Sequence, residues 1–427
     1  MSETRSSRAS TKSRLCGWAL GLTLSTGAVG ASIAQAQTPA PAAPAAVPMA
    51  AAPEAPPPGA PPVIAPPPVI VVPVAPPVEK PVTSAEAMPA ARPEVLPPID
   101  VGAWTRVGGV FQKASDPSSL GDFHMDSAYV ELHAGGKIHK NVGVTVNLNA
   151  NMVDFGSATA VGSVVKVMDA IISFDLVPEL HLWAGHLLVP VDRANASGPF
   201  FMIPWNYPGF GGSPKEGPSG RNNGAVVWGD IEGGKLTYLA GVFDDADVTK
   251  SPLFSGRLRL ALLDAEPGFW GNGSYFGDKD LLSIGVGAQY QKHGSSSALD
   301  DKDWGEFNAD VLFEKKMPGG GWATVEGAYY HYNVLSGAVS DTFYALGAFA
   351  LPPVGEGAFK GNIQPMVRFQ GTNVKDGAGS NPWNLDGAVS YLIKGPALRL
   401  NVTYSHTKIT DDITTNSVQL GAQAIFF

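Results

Sequence analysis

Apolar and polar side chains alternate without a break over residues 141–152. Val142, Val144, Val146, Leu148, Ala150 and Met152 share one phase, and Asn141, Gly143, Thr145, Asn147, Asn149 and Asn151 share the other. A period of two puts the two sets on opposite faces of one extended strand, one suited to an apolar medium and one to water. The pattern recurs where Leu398, Leu400, Val402 and Tyr404 oppose Arg399, Asn401, Thr403 and Ser405, and where Ile363, Val367 and Phe369 oppose Asn362, Gln364, Arg368 and Gln370. By this criterion the chain beyond residue 100 predicts sixteen strands. They fall at 101–112, 123–134, 138–152, 164–176, 180–189, 223–231, 235–243, 253–263, 281–292, 304–316, 322–333, 341–351, 361–371, 382–394, 397–408 and 413–427.

A soluble sandwich alternates too, so period alone does not choose between a core and a lipid environment. The connections do. If the first strand rises from the periplasm, every second connection should be a tight turn, and Gly135-Gly136, Val177-Pro178-Glu179, Glu232-Gly233-Gly234, Pro318-Gly319-Gly320-Gly321 and Gly395-Pro396 have turn chemistry. The intervening connections are mostly longer and more polar, as on the outer side of outer-membrane barrels. Two stretches break the scheme, 264–280 and 352–360, which are long where turns are expected. The fold class that follows is all-β: a transmembrane antiparallel β-barrel of about sixteen strands, wide enough for an aqueous lumen.

The third connection on the loop side, 190–222, is the longest and carries Phe200, Phe201, Trp205, Tyr207 and Phe210. By analogy with general porins it folds inward and constricts the pore, its aromatic residues packing on the wall; the alternative is a surface cover. Asp192, Arg193, Lys215, Glu216 and Arg221 are its candidate constriction charges.

The 427-residue chain starts differently. Arg5, Arg8, Lys12 and Arg14 precede the apolar run 15–31 and the small-residue site Ala34-Gln35-Ala36, the pattern of a secretory signal peptide over residues 1–36. Residues 37–100 hold 21 of the 37 prolines, mixed with Ala and Val. Proline at that density fixes φ and removes backbone donors, so a disordered, extended periplasmic linker is expected rather than a packed unit. At about 3.1 Å per residue it could reach on the order of 200 Å. It either reaches towards peptidoglycan or is an inert spacer. The barrel domain is then 101–427.

Composition narrows the function. Hydrophobic residues make up 44% and charged residues 16%, yet no proline-free apolar run of helical spanning length follows the signal segment. Cleavage after Ala36 would remove four basic residues and Glu3, moving the balance from 29 basic against 38 acidic to 25 against 37. An acidic chain without clustered Lys and Arg does not suit nucleic acid. Cys16, the only cysteine, lies in the signal segment, so disulfides, thiolate metal sites and a cysteine nucleophile are excluded from the rest.

The stretch "DAIISFDLVPELHLWAGHLLVPV" (169–191) resembles the strand, Pro-Glu turn and strand ending in Gly-x-x-x-x-Pro of the phosphate-selective porins O and P. "RNNGAVVWGDIEGGKLTYLAGVFD" (221–244) is similar to that family's two strands around a Gly-Lys turn, and "VQLGAQAIFF" to its closing strand. The resemblance implies a homotrimeric outer-membrane porin, passage of anions such as phosphate, and a terminal aromatic, Phe427, read by barrel-assembly machinery. Selectivity of that kind requires basic lining. Arg257, Arg259, Arg368 and Arg399 fall on polar phases and form a partial basic stripe, but Asp169, Asp175, Glu306, Asp310 and Asp386 fall on the same kind of face, predicting a mixed lumen with a transverse field.

No catalytic constellation emerges, since the neighbours Ser405 and His406 lie on opposite strand faces. The clusters Asp244-Asp245-Asp247 and Asp300-Asp301-Asp303 lack the spacing of a calcium loop. No cofactor or metal is expected. The expected function is a channel for small hydrophilic solutes or ions in the bacterial outer membrane, reached by export through the periplasm, with lipid around it. The alternative is a structural protein tying the barrel to the cell wall through its proline-rich arm.

Overall fold

A computed structural model of the chain describes residues 98–116, 119–151, 165–209, 220–244, 250–294, 302–335, 338–375 and 380–426. The segments read as signal peptide and linker, apart from residues 98–100, lie outside the described residues, as do Met152, Phe210, Lys215, Glu216 and Phe427.

The described chain is a closed antiparallel barrel in which each strand pairs with its sequence neighbours. Its first half comprises β1 (Ile99–Ala114), β2 (Asp122–His139), β3 (Val142–Asn151), β4 (Val165–Val177), β5 (Leu180–Leu188), β6 (Arg221–Ile231), β7 (Leu236–Phe243) and β8 (Leu253–Ala261). The second half comprises β9 (Leu281–Gln291), β10 (Trp304–Met317), β11 (Gly321–Leu335), β12 (Ala338–Ala350), β13 (Gly361–Val374), β14 (Trp383–Ile393), β15 (Leu398–Lys408) and β16 (Thr414–Phe426). Pairing of β1 with β16, from Ala103 opposite Phe426 to Ala114 opposite Thr415, leaves no sheet edge open. The sixteen strands read from alternation match these in number and order.

Burial along the strands settles which medium each face meets. On β15, Arg399, Asn401 and Thr403 are buried while Leu398, Leu400, Val402 and Tyr404 are exposed. On β13, Gln364, Arg368 and Gln370 are buried and Val367 and Phe369 are exposed. Polar inside and apolar outside inverts a soluble fold, and an apolar band of this extent is stable only against hydrocarbon. The sandwich alternative is thereby removed.

The two ends differ as expected, with one correction. Gly135 and Gly136 do not form a turn: they pair with Asp100 and Ile99 of β1 inside β2, which continues to His139, and the chain reverses at Lys140 and Asn141. A Cβ on Gly136 would lie 3.0 Å from the Pro98 carbonyl oxygen, so this glycine serves a close strand approach rather than a turn. The other tight turns hold; between β14 and β15, Lys394 (φ 58°) and Gly395 (φ 61°) adopt the left-handed conformation that closes a short hairpin loop. The long connections that broke the scheme, 262–280 and 351–360, are real, and the first folds into the lumen.

Candidate functional site

The lumen is built from the inward phases of the strands and the connection from β5 to β6. This loop leaves β5 with the Val189 amide donating to the Gly220 carbonyl (3.0 Å) and lies at once against β8 and β9. Ser255 donates to the Pro190 carbonyl (2.6 Å) and Arg257 to the Val191 carbonyl (3.1 Å). The wall is open there because Gly287 carries no side chain; a Cβ would stand 2.0 Å from the Val191 oxygen. Asp192 then caps the short helix α1 (Arg193–Ser197), accepting from the Asn195 amide at 2.7 Å. Burial pushes the Asp192 carboxyl up to about 6, against the opposing pull of that amide and of Arg257.

The remainder of the loop is held by the other side of the barrel. Gln423 donates to the Phe200 carbonyl (3.0 Å), Arg399 to the carbonyls of Met202 (2.8 Å) and Ile203, and Arg106 to that of Trp205 (2.6 Å). Arg368 donates to the Asn206 carbonyl (2.8 Å), and the Gly209 amide donates to Gln370 (3.0 Å). Side chains follow the same path: Phe200 meets Trp104 edge-on (5.3 Å), Ile203 packs with Leu346, Ala348, Met366 and Ala388, and Arg106 stacks 3.8 Å from the Trp205 ring centre. Strands β8 and β9 stand half a circuit from β16 and β1 in the barrel order, so a loop tied to both crosses the diameter.

Each charged residue read as lumenal lies on the inward face, in direct contact with partners rather than across an open field. Arg257 grips Asp310 through two nitrogens (2.6 and 2.9 Å), and Arg368 contacts Asp386 at 2.7 Å. Asp169 accepts from Asn147 (2.7 Å) and Arg221 (3.3 Å), Asp175 pairs with His181 (2.8 Å), and Glu306 accepts from Asn308 (3.1 Å). Arg259 donates to the Glu266 and Gly268 carbonyls (2.8 and 2.6 Å). Among the described residues, Arg399 has no carboxylate within ion-pair distance; its guanidinium is spent on loop carbonyls. The transverse field expected from separated charges is replaced by adjacent pairs and by arginines that hold the loop.

Reading the sequence missed Arg106, whose inward phase is set by Val107 and Thr105 outside it, and Glu266. The second had a signal: it lies in a connection too long for its side of the barrel. Glu266 is fully buried against Arg193, at 2.7 and 2.9 Å. Burial would raise its carboxyl, but the Arg193 guanidinium and the Ser283 hydroxyl hold it well below the usual range. Ser405 and His406 do lie on opposite faces, bonded to Asp386 and Asn416 respectively. No group of metal-ligating side chains occurs among the described residues.

No family model and no curated protein matches this chain. Solved structures do. The chain is similar to the high-pH structure of OprB from Pseudomonas putida, with a TM-score of 0.55 at 11% identity over 77% of this chain and 94% of that one. It also aligns with an anion-selective porin from Comamonas acidovorans (TM-score 0.49, 13% identity, 77% of this chain and 100% of that one). A further match is Salmonella typhi OmpF in complex with daunomycin (TM-score 0.49, 10% identity, 77% and 98%). At this identity the likeness to OprB establishes the fold: a sixteen-stranded barrel of the bacterial outer-membrane porin type.

Proposed function

We propose that the chain forms an outer-membrane porin, a non-enzymatic channel for passive diffusion of small hydrophilic solutes or ions. The observation that carries this reading is the β5–β6 loop crossing a polar lumen inside an apolar outer wall, held to the wall by its own carbonyls. Such a loop narrows a wide barrel to a selective passage. Asp192 and Arg193 are buried charges of this loop, and Arg221 stands beside it at the start of β6.

Charge balance bears on selectivity. Among the described residues, the inward carboxylates with no cation within ion-pair distance, Asp126, Glu131, Asp230, Glu314 and Glu326, outnumber the inward arginines with no carboxylate within that distance, Arg106 and Arg399. That excess supports cation over anion passage, against the phosphate preference implied by the resemblance to the O and P porins. Purified protein in a planar bilayer should give stepwise conductance, with a reversal potential in a salt gradient displaced to the cation side. A folded barrel that never conducts would overturn the channel reading, and an anion-side potential would overturn the selectivity.

A second reading, a structural protein that ties the outer membrane to the cell wall, is supported by how completely loop and connection occupy the described lumen. Pull-down with purified peptidoglycan, with and without residues 37–100, separates the two when paired with the conductance record: binding in a silent barrel supports the tether.

A further inference from the structure

The connection between β8 and β9 enters the lumen from the turn side and meets the β5–β6 loop, which enters from the other. Arg193 of the loop is fully buried, and nearly all its donors are taken up at this meeting. One terminal nitrogen donates to Glu266 (2.7 Å) and to the Asn272 carbonyl (2.8 Å), the other to Glu266 (2.9 Å) and Ser283 (2.7 Å), and Nε reaches Asp310 at 3.4 Å. Glu266 also accepts from Tyr275 (2.8 Å) and Ser283 (2.5 Å). The backbones touch as well: the Ser274 amide donates to the Phe201 carbonyl (3.1 Å), and a Cβ on Gly273 would lie 3.1 Å from Met202 Cα.

We propose that this connection is a second constriction element. Glu266 is a positioning residue for Arg193: it fixes the loop across the lumen, and solute passage requires the contact between connection and loop to part. The inference rests on the channel reading above. The physical reason is that the other anchors of the loop are strand side chains, fixed in a rigid wall, whereas 265–279 lies beyond the ladder, which ends with the Asp264 amide on the Asp280 carbonyl. That stretch is held by contacts such as Arg259 on the Glu266 and Gly268 carbonyls and Glu314 on the Tyr275 and Gly277 amides, so it can part from the loop without breaking strand pairing. Removing the Glu266 charge leaves the buried Arg193 short of its compensating carboxylate, which favours withdrawal of that part of the loop towards water.

Cysteines replacing Met202 and Gly273 test the proposal in full-length protein, since these positions stand close enough for a disulfide and Cys16 lies in the segment expected to be removed. In planar bilayers the oxidised double variant should conduct less than the reduced one, with reduction raising the conductance reversibly by about twofold or more. Glu266→Gln, without any new cysteine, should raise conductance and admit larger polyethylene glycol probes, whereas Glu266→Asp stays close to the parent. A merely structural role would lower the yield of folded barrel without moving the size limit. Conduction indifferent to the redox state of the cysteine pair overturns the proposal while leaving the channel reading intact. Silence of the parent and of both redox states overturns both.

Discussion

Two glycines on β9 show how much at the residue scale turns on a missing side chain. A Cβ on Gly285 would lie 2.3 Å from Arg257 Nη2 and 2.7 Å from Asp310 Oδ1, so its absence lets β8 and β10 exchange an ion pair across the strand between them. Gly287, one step along the same face, is the seat of the Val191 carbonyl. A methyl group there has nowhere to go except into the loop backbone, and overpacking of this kind costs about 1–3 kcal/mol. The strain falls on the loop rather than the wall, because β9 is paired along both sides. Gly287→Ala should therefore fold, with normal strand content by circular dichroism, yet show a higher or noisier single-channel conductance; an unaltered record would mean that the loop does not rest on this seat. The inward phase of Arg257, Arg259, Arg368 and Arg399 was legible from alternation alone. Their partners were not, because Arg257 and Asp310 are brought together by strand register and by Gly285, not by any spacing along the chain.

Strand phase is the property that the chain states most clearly at the scale of the element. On β15 a single step along the sequence moves a side chain from lumen to lipid: Arg399 is 1% exposed, and its neighbour Leu400 is 49% exposed. Placing a cation on the outward phase of the same strand should be far worse than keeping one inside. Val402→Arg should lower barrel stability by about 2–4 kcal/mol if the site lies near the bilayer midplane, read from the urea midpoint of folding into lipid vesicles. A neutral result would show that the outward face does not meet hydrocarbon. The error over Gly135-Gly136 belongs to this scale as well. Paired glycines signal a turn when only chain-local chemistry is considered, but in a strongly coiled sheet the same residues permit close strand approach. The overlong stretch 264–280 was visible in the sequence as an anomaly; that it folds inward to meet the β5–β6 loop depends on Glu266 and Arg193, 73 residues apart.

The whole molecule has a lopsided outer wall. Around β9 to β13 the outward phase carries large aromatics, Tyr290, Phe307, Tyr329, Phe343 and Phe369 among them, each at least 40% exposed. Around β16 and β1 to β3 the outward rings are fewer, Phe111, Phe123 and Phe426 towards the strand ends, and the wall between them is aliphatic: Leu420, Ala422, Ala424, Ala103, Thr105, Val107, Ala128, Val130, Leu132, Val144 and Val146. An aliphatic surface without rings lets two barrels approach more closely than one studded with bulky aromatics, which suit a fluid lipid contact. A homotrimer associating through the β16–β3 wall is the assembly that this asymmetry supports, a ring being closed by one repeated heterologous contact. Its test compares two variants on the outward phase. Val130→Arg, in the middle of β2, and Val325→Arg, four residues into β11, both place a cation on the outward wall, so both should weaken folding, the first more than the second. Native mass spectrometry in detergent should give the parent a trimer mass, which Val130→Arg alone converts to that of a monomer. Equal behaviour of the two variants, or a monomeric parent, would sink the assembly and leave the asymmetry of the wall to be explained by lipid alone.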